Sequence, residues 1–214
     1  YLNHIPFADH GALLDPPTSD LTARCISMYG QLGSRPHESA ALQKALQYLL
    51  AEQRPDGSWF GRWGMNYIYG AWSALCALNA IGVDANHIAI RHAAAWLKDI
   101  QNDDGGWGEA GESYRLDHIT HTPALSTPSQ TAWALLGLMA AGEVDAPEVE
   151  RGVAYLIKTL DAEGCWREER FNATGFPRVF YLRYHGYPRY FPLWALARYR
   201  NLRNARDRRP PWGM

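Results

Sequence analysis

The chain has 214 residues, of which 47% are hydrophobic and 20% charged, and its formal net charge is −1. That composition excludes a disordered polypeptide, and the charge balance provides no long-range field for nucleic acid or anionic lipid. Cys25, Cys76 and Cys165 stand far apart with no CxxC pair, which excludes a disulfide framework and points to a reducing compartment.

The opening residues, Tyr1-Leu2-Asn3-His4, show neither the charged nor the apolar region of a secretory signal. Hydrophobic periodicity then predicts helices over 19–32, 38–52, 66–81, 87–100, 129–141, 147–160 and 191–204. Ser19 or Asp20 is the expected cap of the first, and Gly30 and Gly33 loosen its end. Pro147 suits the first turn of the sixth. No segment alternates convincingly as a strand, and Val179-Phe180-Tyr181-Leu182 stays ambiguous. No apolar run approaches the roughly 18 residues of a membrane span. Short links between many helices predict helical hairpins packed in series.

A repeat is superimposed on this pattern. Lys44-Ala45, Tyr48-Leu49, Gln53 and Gly57-Ser58-Trp59 form one copy. Arg91, Trp96-Leu97, Gln101 and Gly105-Gly106-Trp107 form a second. Arg151-Gly152, Tyr155-Leu156 and Gly164-Cys165-Trp166 form a third, with Leu160 where Gln is expected. Each copy reads as an amphipathic helix, a Gln near its end, a tight Gly turn and a Trp folded back. The Gln amide is expected to bond backbone groups that the helix end leaves unpaired, beneath the indole. The third turn is expected to be less well tied down.

These units resemble the QW repeats of triterpene cyclases. Further strings resemble segments of bacterial squalene–hopene cyclases: Asp15-Pro16-Pro17-Thr18-Ser19-Asp20, Gln53 to Gly64, Ser126-Thr127-Pro128-Ser129-Gln130-Thr131-Ala132-Trp133 and Thr174-Gly175-Phe176-Pro177. The resemblance implies an all-α fold, an α/α-toroid in which inner helices line a cavity and outer helices wrap them. Residues 1–214 would form the C-terminal part of the catalytic barrel domain. It further implies squalene or a similar polyprenoid as substrate and no cofactor or metal. Peripheral attachment to the cytoplasmic side of a bacterial membrane and a homodimeric state follow from the same likeness, with no nucleic-acid partner.

Cyclising an uncharged polyene requires a strong acid and then a wall that stabilises cations without attacking them. Aromatic faces suit that wall, because their quadrupoles attract positive charge. Phe176, Phe180 and Tyr184 fall at i, i+4 and i+8, one face if the stretch is helical. By itself that spacing is an ordinary core pattern. The resemblance assigns Phe176, Phe180, Tyr184 and Tyr187 to the substrate cavity, together with Trp63 and Tyr69. Trp59, Trp107 and Trp166 belong to the repeat and are structural.

The family's proton donor lies in an Asp-x-Asp-Asp motif, which these 214 residues lack. Asp103-Asp104 sits in a repeat turn and reads as structural. The resemblance places Arg24 where some members carry a His beside the acid, and Asp20 in the same hydrogen-bond network. Read without it, the two are a helix cap and a surface Arg. Phe7 matches a loop near the cavity entrance. His118 and His121 lack the companions of a metal site, and no diphosphate-binding motif occurs. The basic run from Arg198 to Arg209 reads as a solvated helix end, with anionic lipid as the other option. Two other readings remain open: a prenyltransferase-like toroid, which needs a zinc site from Asp, Cys and His, and a non-catalytic helical binding domain.

Overall fold

The computed structural model describes residues 15–115, 120–208 and 210–211. Phe7 and His118 lie outside them. The elements are α1 (Ser19–Gln31), α2 (Ala40–Ala51), α3 (Tyr67–Ala80), α4 (Ile88–Asp99), α5 (Pro128–Ala140), α6 (Pro147–Lys158), β1 (Ala173–Phe176), β2 (Phe180–Leu182) and α7 (Tyr187–Asn204). Short 3-10 turns occupy Pro36–Glu38 and Gly111–Tyr114. Among the described residues no helix is long and apolar enough to cross a membrane.

Helices α3 and α5 are apolar on all sides and almost wholly buried, so both must be enclosed. The odd-numbered helices meet that demand by packing on one another in the order α1, α3, α5, α7. The even-numbered helices cover their backs: α2 lies on α1, α4 on α3 and α6 on α5. Inner and outer layers therefore alternate along the chain, as in an α/α-toroid.

The repeat turns join the layers. The indoles of Trp59, Trp107 and Trp166 are buried, and each donates from Nε1 to a carbonyl ten residues earlier. Those acceptors are Leu49 (2.7 Å), Leu97 (2.7 Å) and Leu156 (2.8 Å), near the ends of α2, α4 and α6. The Gln partners differ from expectation. Gln53 Nε2 donates to the carbonyl of Gly57 in its own turn (2.9 Å) and of Ala89 in α4 (2.8 Å). Gln101 does the same toward Gly105 (2.7 Å) and Glu148 in α6 (2.8 Å). Each Gln thus ties its turn to the next outer helix instead of repairing its own helix end.

Gly105 shows why the turn tolerates no side chain. Its φ is +87°, and a Cβ would stand 2.8 Å from the Arg151 carbonyl of α6. In the third copy Gly164 has φ +74°, but open space surrounds its Cβ position. Leu160 there is 40% exposed. That turn has no following outer helix to dock on among the described residues.

Three sequence expectations change. Residues 173–182 form an antiparallel hairpin, with Thr174 opposite Tyr181, Phe176 opposite Phe180 and a bulge between Thr174 and Phe176. Phe176, Phe180 and Tyr184 therefore share no helical face. The hairpin gains partners from distant chain: Met65 N–H donates to the Asn172 carbonyl (3.2 Å), and Thr174 N–H to the Trp63 carbonyl (3.2 Å). The last helix starts at Tyr187 rather than 191. Pro188 sits in its first turn, where the missing N–H is harmless, and Pro192 forfeits one bond inside it. The first helix has Thr18, not Ser19 or Asp20, at the capping position.

Gly105→Ala is expected to destabilise the protein by about 3 kcal/mol, from left-handed strain plus overpacking. Gly164→Ala is expected to cost about 1 kcal/mol, from strain alone. Urea unfolding of the two variants side by side measures the difference; equal losses would mean that docking on the next outer helix contributes nothing.

Candidate functional site

The N-terminal ends of α1, α3 and α5 face the loops that follow the repeat tryptophans, and each end meets a carboxylate, buried at α1 and α3 and partly buried at α5. At α3, Glu109 accepts from the backbone N–H groups of Asn66, Tyr67 and Ile68, each at 3.1 Å. These are amides that a helix start leaves without intrahelical partners, and negative charge also complements the dipole there. At α5, Glu168 accepts from Ser129 N–H (3.0 Å) and from the Asn172 amide (3.1 Å). Burial raises the Glu168 carboxyl above the ordinary glutamate value, against the lowering by its Ser129 and Asn172 donors and by Arg183. At α1, Asp20 is 1% exposed. It accepts from the Thr18 hydroxyl (2.5 Å), Leu21 N–H (3.0 Å) and Trp63 N–H (2.8 Å).

Gln130 and Asn66 stitch these ends together. Gln130 Oε1 accepts from Glu109 N–H (3.0 Å), while its amide donates to the carbonyls of Glu109 (3.1 Å) and Met65 (3.3 Å). Asn66 accepts from Gly61 N–H (3.1 Å) and donates to Ser113. The Tyr114 hydroxyl donates to the carbonyls of Gly61 and Gly64. Asn172, fully buried, holds both the N–H and the carbonyl of Tyr184 through its side chain, at 2.9 and 3.2 Å.

Next to this polar layer stands an aromatic cluster. Tyr69 packs edge-on against Trp72 (5.4 Å) and Trp133 (5.0 Å), and the two indoles stack at 6.0 Å. Trp133 meets Tyr187 (5.9 Å) and Phe191 (5.6 Å), and Tyr187 meets Tyr184 (4.9 Å). Phe191 and Trp194 extend the cluster along α7. A second group forms at the hairpin, where Phe176 and Phe180 lie 5.7 Å apart and Arg62 stacks 4.3 Å over Trp63. Arg24 stacks 3.9 Å over Trp72 and 5.7 Å from the Tyr69 ring.

The structure thus brings Tyr69, Tyr184, Tyr187 and Arg24 into one cluster, and Trp63, Phe176 and Phe180 into a neighbouring one. Asp20 touches the second through the Trp63 backbone. Phe180 and Tyr184 remain 44% and 46% exposed, so the wall has an open side. A cavity of about 650 Å³ lies on the Tyr181 side of the hairpin, lined by Met65, Phe171, Arg115 and Arg178 among others. None of the six expected wall rings lines it, and the wall chemistry is not assigned there. Phe176 and Arg62 border a smaller cavity of about 340 Å³.

Burial keeps the phenols protonated. It raises Tyr69, with Arg24 opposing and Asp20 reinforcing, and it raises Tyr187 to about 12. Burial also lifts the Cys76 thiol to about 11. The Tyr69 and Tyr187 phenols and the Cys76 thiol are therefore uncharged at neutral pH. The cluster can bind an electron-poor, apolar species without reacting with it.

Several site residues escaped sequence reasoning. Glu109 and Glu168 both stand two residues after a repeat Trp, in Trp107-Gly108-Glu109 and Trp166-Arg167-Glu168. The first copy has Gly61 there, and its helix start is served by Asp20. Phe191 and Trp194 continue the helical spacing from the expected Tyr187, which starting the last helix at 191 concealed. Asp104 is structural as expected, accepting from Gly106 N–H (2.9 Å) and the Ser126 hydroxyl (2.6 Å). His121 contacts the Gly108 carbonyl at 3.1 Å.

The family model of the squalene-hopene cyclase C-terminal domain matches residues 1–201. The chain is 64% identical to a squalene–hopene cyclase of Bradyrhizobium diazoefficiens, over 97% of this chain and 32% of that protein. It is 60% identical to the one of Zymomonas mobilis, over 100% of this chain and 32% of that protein. The chain therefore spans about a third of the length of these curated relatives. Among solved structures, ent-copalyl diphosphate synthase from Streptomyces platensis superposes with a TM-score of 0.63 at 22% identity, covering 86% of this chain and 34% of that one. At that identity the likeness concerns the fold, and it agrees with the two-layer toroid.

Glu168 supplies a pH test. Its folded pKa is raised above the ordinary value of 4.5. Its contribution to stability is therefore fully present below the unfolded value and is lost as pH rises through the folded one. Glu168→Gln is expected to flatten the fall in melting temperature above pH 4.5. An unchanged slope would show that another group titrates.

Proposed function

The chain belongs to the squalene-hopene cyclase C-terminal domain family, and from that premise we propose that it supplies the aromatic wall of an enzyme that protonates squalene, or a similar polyprenoid, and cyclises it through carbocations. The observation that carries this reading is the continuous run of rings from Tyr69 through Trp133 to Tyr187 and Tyr184, with Arg24 stacked at its Tyr69 end. Trp63, Phe176 and Phe180 continue the wall at the hairpin. Each well-placed ring contributes about 0.5–2 kcal/mol to a nearby cation in a desolvated site. That corresponds to roughly 2- to 30-fold in rate per ring if the contact forms only along the reaction path.

The proton comes from elsewhere in this reading. Asp20 already accepts three hydrogen bonds, and it serves as an anchor rather than as an acid. We assign the acid to an Asp-x-Asp-Asp motif in the part of the enzyme that the longer relatives share beyond this region. Arg24 then acts as its fixed cation, holding neighbouring carboxylates ionised and orienting the proton-bearing one. Arg24 cannot shuttle a proton as a His could.

An apolar substrate dissolved in a bilayer supports peripheral attachment to the cytoplasmic face of the membrane. The basic end of α7 is not proposed as the contact. Arg203 pairs with Asp145 and Glu150, and Arg208 pairs with Asp145.

Two experiments test the reading. The 214-residue chain alone, incubated with squalene in detergent, is expected to form no hopene by gas chromatography. It lacks the acid motif, and its wall is open to water, which quenches cations. Hopene above a no-protein control would overturn the assignment of the acid. In the full-length enzyme, Phe180→Ala is expected to raise incompletely cyclised products more than it lowers the melting temperature. A normal product spectrum with an early melt would make Phe180 a packing residue.

A further inference from the structure

Arg62 occupies the seam between the Trp63 loop and the hairpin, with its side chain 11% exposed. Its Nη1 donates to the Thr174 hydroxyl (3.2 Å) and to the Gly175 carbonyl (3.1 Å). The Thr174 hydroxyl donates in turn to the carbonyl of Arg62 (2.9 Å), so the two residues close a ring of hydrogen bonds. The guanidinium carbon lies 4.3 Å from the centroid of the Trp63 ring and 5.6 Å from that of Phe176. Nη2 stands 3.8 Å from Asp15 Oδ1.

We propose that Arg62 is a positioning residue: it clamps the Trp63 loop to β1 and thereby sets where Phe176 stands in the wall. The inference rests on the functional reading above. Strand β1 has four residues and a bulge between Thr174 and Phe176, so ladder bonds hold its Phe176 end weakly. The two acceptors of Arg62, on Thr174 and Gly175, lie at that irregular point. The guanidinium also stands over two rings at once, which a Lys ammonium cannot do while bridging two oxygens. A cation stacked on one face of Trp63 and Phe176 reserves the other face of each for the substrate.

In the full-length enzyme, Arg62→Met, Arg62→Lys and Thr174→Val are compared with the parent by gas chromatography of squalene products, alongside kcat, KM and melting temperature. Arg62→Met is expected to raise the ratio of incompletely to fully cyclised product about tenfold and to lower kcat with little change in KM, because misplacement near 1 Å at a reacting centre costs up to about 100-fold. Arg62→Lys keeps the charge but loses the fork, and it is expected not to restore the ratio. Thr174→Val is expected to shift the ratio the same way by a smaller factor. A parent that forms no cyclic product refutes the functional reading itself, separately from the role of Arg62. A parent-like ratio in Arg62→Met overturns the inference, as does full rescue by Arg62→Lys. Should Arg62→Met fail to fold, a parent-like ratio in Thr174→Val overturns it instead.

Discussion

The structure depends on two helices that have no polar face. Helices α3 and α5 are rich in Ala, Leu and Trp on every side, and water cannot be allowed near any of them. Enclosing both requires inner neighbours on either flank and outer helices behind, which is the alternation observed. It also buries their N-terminal ends. Buried backbone N–H groups without partners are too costly to leave, so acceptors must be brought to them. Glu109 and Glu168 answer that need from the loops after the outer helices. A purely structural demand thereby places carboxylates, amides and rings at one end of the inner layer.

That placement has a chemical consequence. The polar groups of the layer are consumed by backbone: Glu109 serves three N–H groups, Asn172 grips Tyr184, and Asp20 ties α1 to the Trp63 loop. Facing them are aromatic carbons and the Tyr69 and Tyr187 phenols, whose pKa values burial raises. A surface built this way stabilises positive charge through ring quadrupoles. Two of the expected rings, Trp63 and Phe176, already carry a protein guanidinium on one face, and Trp72 carries Arg24. The proposed wall is therefore oriented, with arginines stacked on some rings and an open side at Phe180 and Tyr184.

The repeat shows how local and non-local demands divide. All three turns bend the chain so that an indole reaches a helix carbonyl, whether or not Gln precedes it. The Gln appears only in the two turns that have a following outer helix to hold. Leu160 in the third copy is consistent with the open space around Gly164. The Trp is thus the requirement of the turn itself, and the Gln is the requirement of stacking one unit on the next.

The sequence by itself determined what depends on near neighbours. The outer helices and the bodies of the inner ones follow from apolar spacing, and the Gly turns from positive φ. The roles of Trp59, Trp107 and Trp166 follow from repetition at fixed offsets from a helix. The aromatic candidates were legible only through resemblance, because rings spaced four apart read equally as core. Tertiary structure alone decided the hairpin. Seven residues of β1 and β2 lack the alternation of a free-standing strand pair, and they are held by Met65, Trp63 and Arg62, more than a hundred positions away. It alone decided the capping roles of Glu109 and Glu168, whose amides lie some forty residues upstream. The proposed wall likewise draws on residues 63, 69, 133, 176, 180, 184 and 187, from five separate elements and two loops. Contacts of that range leave no period in the sequence, because their spacing is set by how layers stack and not by the turn of a helix.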